Sequence, residues 1–87
     1  MIADKLGYAN ITTTGQIVKT GPAGLFGAIS TVGGGATAIY DGITATGTLL
    51  YSKSLTLGDV VHFGGNGIAA KNGIFVSATG TLNILYT

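Results

Sequence analysis

Sixteen glycines punctuate this 87-residue chain, and no stretch between them carries apolar residues at helical spacing over the length a stable helix needs. The segments they separate are short and rich in Val, Ile, Leu, Tyr, Phe and Thr. Branched and aromatic side chains of this kind suit a pleated, half-buried surface, so the chain reads as all-β. Nine strands are predicted, over 8–12, 16–19, 25–32, 37–41, 48–53, 59–63, 67–70, 74–78 and 81–86.

Turn chemistry supports these divisions. In Asp41-Gly42, Asn66-Gly67 and Asn72-Gly73 the backbone reaches positive φ at low cost, and tight hairpins are expected near each pair. Pro22 falls between two predicted strands, where its missing N–H costs no ladder bond. The last segment has the clearest alternation, with Leu82, Ile84 and Tyr86 on one face and Thr81 and Asn83 on the other. Leu85 interrupts that polar face and is expected to touch a neighbour. So many short strands favour a compact antiparallel two-sheet β-sandwich, jelly-roll-like or Greek-key, because an open single sheet would leave one apolar face wet. A small β-barrel is the alternative. Residues 1–14 read as an N-terminal arm or first strand, and 15–87 as a single sandwich domain.

A domain this small buries only roughly 60–65% of the surface its unfolded chain exposes, and many such domains add disulfides, a metal or partner subunits. Cys is absent here, which excludes disulfides and thiolate metal sites. A zinc site would have to draw on His62 and some of Asp4, Asp41 and Asp59, a poor ligand supply, and no cofactor is expected. Hydrophobic residues make up 46% of the chain and charged ones 8%, against about 25% charged in an ordinary soluble domain. Uncharged surface of that extent points to association, and a homo-oligomer is expected, with a trimer favoured.

The same composition weighs against other classes. Lys5, Lys19, Lys53 and Lys71 are scattered singly, so no basic stripe is available for nucleic acid. Residues 20–40 carry no charge over a bilayer-spanning length, but Pro22 and the glycines make a membrane helix there a poor reading. Met1–Gly7 carries Asp4 and Lys5 in place of an apolar run, so a secretory signal is not expected.

Chemistry-bearing residues are few. His62 is the one side chain suited to proton transfer near neutrality, and its strand position sets it opposite Val61 and Phe63, on a wet or interfacial face. Asp59 would lie on the other face, so the two make no dyad. None of the serines sits in a Gly-x-Ser-x-Gly elbow. Gly33, Gly35 and Ala38 fit a dinucleotide-binding spacing but lack the helix it needs, and 33–35 reads as a flexible loop. An enzyme is not expected. Leu25 and Phe26 point to opposite faces, so one can fill the core while the other meets a partner; both are candidate interface residues, with His62 and Leu85. Tyr40 beside Asp41 is the one grouping that could hold a glycan, by ring stacking and hydrogen bonding.

Four segments carry a resemblance: 15–21 (GQIVKTG), 39–48 (IYDGITATGT), 72–76 (NGIFV) and 82–86 (LNILY). With their strand-and-turn pattern the chain resembles small virion proteins of tailed phages. The resemblance covers nearly all of it from Thr14 onward and contains no catalytic motif. It implies a virion location and a β-sandwich subunit that decorates or cements a capsid, with the major capsid protein or another virion protein as partner. A head-fibre or tail component that binds host-surface glycans is the alternative it implies.

Overall fold

In the computed structural model, residues 7–12, 15–32, 35–64 and 67–87 are described. They form nine strands: β1 (Gly7–Ile11), β2 (Gln16–Thr20), β3 (Ala23–Val32), β4 (Gly35–Asp41), β5 (Thr48–Leu55), β6 (Val60–His62), β7 (Ile68–Ala70), β8 (Gly73–Ala78) and β9 (Thr81–Tyr86). All nine predicted strands are present, with ends displaced by two residues or fewer.

The pairing is that of a doubled chain rolled into a sandwich. β4 and β5 form the hairpin at the tip; behind it β3 pairs with β6 and β7, β2 with β8, and β1 with β9, all antiparallel. Rolling that ribbon adds the β3–β9 and β4–β8 pairs. One sheet then runs β1-β9-β3-β6, with β7 also on β3, and the other β2-β8-β4-β5. This is a jelly-roll order, the first of the architectures expected from the sequence. The Cα extents are 30 × 29 × 17 Å, and the thin dimension is that of two sheets packed face to face.

Alternation decides what lies between the sheets. Ile74, Val76 and Ile39 from the four-stranded sheet meet Ile11, Leu25, Leu82 and Ile84 from the five-stranded one, and all seven are fully buried. Each such side chain contributes about 1.5–3 kcal/mol relative to its exposed state. Because the side-chain period along a strand is two, the same burial fixes register: a one-residue slip of β9 would trade Leu82 and Ile84 for Asn83 and Leu85.

Of the two readings of residues 1–14, Gly7–Ile11 takes that of a first strand, and its Ile11 lies in the core. Two local expectations are corrected. Asn72-Gly73 makes no hairpin; it carries the chain from β7 in one sheet to β8 in the other. Gly35 opens β4 and so is not loop, while residues 33 and 34 of that run lie outside the described residues. Asp41-Gly42 does open the β4–β5 hairpin, through a six-residue connection over 42–47. Asn66 lies outside the described residues.

Candidate interaction surfaces

The outer face of the five-stranded sheet gathers three of the four expected interface residues. Pairing places Tyr8, Leu85, Gly27 and His62 in one row across β1, β9, β3 and β6. The next row is Asn10, Asn83, Ile29 and Val60. His62 is exposed, and Val61 behind it packs on the core. Tyr8 is 70% and Val60 53% exposed. Asn10 Nδ2 donates to Asn83 Oδ1 at 2.9 Å across β1 and β9, a polar pair within an otherwise mostly apolar surface.

Phe26 reaches this face through a bulge. The β3–β9 register shifts between Leu25 and Gly27, leaving Phe26 as the extra residue. Its ring crosses two glycines: a Cβ on Gly24 would lie 2.9 Å from Phe26 Cε1, and one on Gly67 3.3 Å from Cδ1. The two residues thus divide between core and surface, and Leu25 is the buried one. Leu25 is therefore corrected from interface candidate to core residue, since no atom of it reaches the surface.

Tyr40 and Asp41 do not converge. Tyr40 lies on the outer face of the four-stranded sheet, its ring 6.4 Å from that of Phe75 and tilted by 52°. Asp41 falls in the row of buried Ile74, and its Oδ1 accepts the backbone N–H of Asn72 at 2.7 Å. That bond and further ones from the Lys71 and Gly73 backbone hold the carboxyl below its ordinary pKa. Asp41 is thus committed to a turn.

Asp59 and Lys19 are similarly occupied. Asp59 Oδ2 accepts from Thr56 N at 2.8 Å and from Thr56 Oγ1 at 3.0 Å, which lowers its pKa and closes the β5–β6 turn. Lys19 Nζ donates to the Thr87 carbonyl at 3.1 Å. Among the described residues no three His, Asp, Glu or Cys side chains come together as a metal site would require. No helix among them is long and apolar enough to cross a membrane, and residues 20–32 and 35–40 belong mainly to β3 and β4.

A second surface was not foreseen. Ile17, Phe75, Tyr40 and Leu49 stand side by side across β2, β8, β4 and β5, forming an apolar row over the whole width of the four-stranded sheet. Ile17 is 51% and Leu49 52% exposed, and Ile43 of the β4–β5 connection is exposed beside them. The residues come from three separate parts of the chain, β2, the β4–β5 hairpin and β8, so only strand order and register reveal the row.

No protein-family model, no curated protein and no solved structure matches the chain.

Proposed function

We propose that this chain is a non-enzymatic structural subunit of a many-copy assembly, a decoration or cement protein on the head of a tailed phage. The observation that carries the reading is the outer face of the five-stranded sheet. Tyr8, Leu85, Phe26, Ile29 and Val60 share that face with His62, which stands at its β6 edge, and none of Lys19, Asp41, Lys53, Asp59 and Lys71 lies in either of its rows. A flat, neutral surface of this kind binds by burying apolar area, and repetition over a shell multiplies a modest single contact. The major capsid protein is the partner that the reading assigns to it.

Immunogold electron microscopy of particles from cells expressing the protein tests this. Label at regular positions over icosahedral heads is the expected result, lost in Leu85→Lys. Label confined to tail or fibre tips, or found only on protein free of particles, would overturn it.

A further inference from the structure

The opposite face of the sandwich has relief as well as apolarity. Ile17, Phe75, Tyr40 and Leu49 form a ridge, and beside it runs a row of small side chains: Ser77 on β8 and Ala38 on β4, each two residues from its ridge residue, and Ser52 on the edge strand β5, three residues from Leu49 across a bulge. Ala36 and Ser54 follow in the next row. At the β2 end the Phe75 ring leans over Gly15, where a Cβ would come 3.0 Å from Phe75 Cζ, so the trough runs over β8, β4 and β5. A bulky row flanked by a trough of similar length is a shape complementary to itself. Turned about a two-fold axis parallel to the ridge and midway between the two rows, a second copy sets its ridge over the first copy's trough, Tyr40 above Ala38 and Leu49 above Ser52.

We propose that this face is a two-fold interface between two copies of the chain. Four strands about 4.8 Å apart and about 20 Å long give each copy roughly 400 Å² in plan; with side-chain relief, two such faces bury roughly 1,000 Å² together, the lower bound for a biological interface. Charge permits it, since all the ridge and trough residues are uncharged and no like charges meet when the face is duplicated. Sheets packed face to face interdigitate side chains at a separation of about 10 Å, which a ridge-in-trough arrangement allows and ridge on ridge would hinder. The edge strand β5 is a weaker route to self-association, because Lys53 sits in its inward-facing row beside Thr37 and opposes further strand pairing. A two-fold pair departs from the trimer favoured on composition alone. The self-complementarity decides, since an isologous contact uses one patch twice.

The pairing extends the assembly reading but rests on the other face, so each can fail without the other. Light scattering of the purified protein over a wide dilution series, with near-ultraviolet circular dichroism as a check on folding, tests it. The expected mass is twice the 8.6 kDa of the chain. Ile17→Lys with Leu49→Lys should raise the dissociation constant by about a hundredfold, because symmetry places each substitution in the interface twice. Ala38→Arg, which fills the trough, should have the same effect, and Leu85→Lys on the opposite face should leave the pair intact. A wild-type monomer at all concentrations, a trimer, or a pair that survives the double lysine variant or a folded Ala38→Arg would overturn the proposal. Should Ala38→Arg fail to fold, the double variant decides, since both of its positions are half exposed. A pair broken by these changes, together with unlabelled heads, would leave this interface standing and remove the virion reading.

Discussion

Asp41 Oδ1 accepts the backbone N–H of Asn72 at 2.7 Å, which joins the end of β4 to the turn leading into β8 across 31 residues of sequence. The bond favours the ionised carboxyl and lowers its pKa below the unfolded value of about 3.9. The stabilisation is therefore fully present above that value and is lost as the pH falls through the lower pKa of the folded state. Asp59, held by Thr56, acts in the same direction. Thermal melts should show stability falling as the medium is acidified below about pH 4. Asp41→Asn should flatten part of that acid dependence, because its amide oxygen still accepts the bond without titrating. Asp41→Ala should be the less stable of the two at neutral pH. An unchanged acid profile in Asp41→Asn would show that the bond carries none of the dependence.

Gly73 stands next to that turn at φ +141°, and a Cβ there would lie 2.5 Å from the Lys19 carbonyl oxygen. Gly58 also has a positive φ, +86°, but nothing lies within 4 Å of its Cβ position. Gly58→Ala should therefore cost only backbone strain, about 1 kcal/mol, whereas Gly73→Ala adds a clash with backbone and should cost about 3 kcal/mol or more. Urea denaturation of both variants measures the difference. Equal losses would show that the backbone around Lys19 relaxes freely.

These two glycines also mark what the sequence could convey. Asn72-Gly73 was legible as a turn, because Gly tolerates such φ values and Asn commonly precedes it, yet nothing local distinguishes a hairpin from a crossing between sheets. The nine strands were legible for the same local reason. Face assignment was legible where alternation is strict, as in Leu82 and Ile84 against Asn83, and ambiguous at Leu25 and Phe26, where a bulge interrupts the period. The row of Ile17, Phe75, Tyr40 and Leu49 was not legible, since it exists only once β2, β8, β4 and β5 are placed side by side. Tyr40 and Asp41 show the converse, being neighbours in sequence that the strand sends to opposite faces.

Burial separates residues that composition treats alike. Ile39 is fully buried between the sheets, while Leu57, in the turn before β6, is 67% exposed. Ile39→Ala should cost about 2–5 kcal/mol through lost transfer energy and a residual cavity. Leu57→Ala should stay within about 0.5 kcal/mol of wild type. The folded state of a domain has only about 5–15 kcal/mol in total, so Ile39→Ala should lower the denaturation midpoint severely. A mild effect at Ile39 would mean that the two sheets close over the gap.

Tyr51 and Phe63 close the side of the sandwich opposite β1 and β2. Tyr51 belongs to β5 of the four-stranded sheet and Phe63 follows β6 of the five-stranded one, with ring centroids 5.2 Å apart and planes at 77°. Both pack against the core, and Phe63 N–H donates to the Phe26 carbonyl at 3.1 Å, so the ring is held from behind by the bulged strand. Edge-to-face geometry sets the positive edge of one ring against the negative face of the other, which contributes about 0.5–1.5 kcal/mol beyond the area buried. A double-mutant cycle with Tyr51→Leu and Phe63→Leu isolates that contribution, since leucine preserves much of the apolar volume. The coupling should fall in that range, with each single variant destabilised. A coupling near zero would mean that the two rings act only as independent apolar cover, and that this edge of the sandwich is closed by burial without ring geometry.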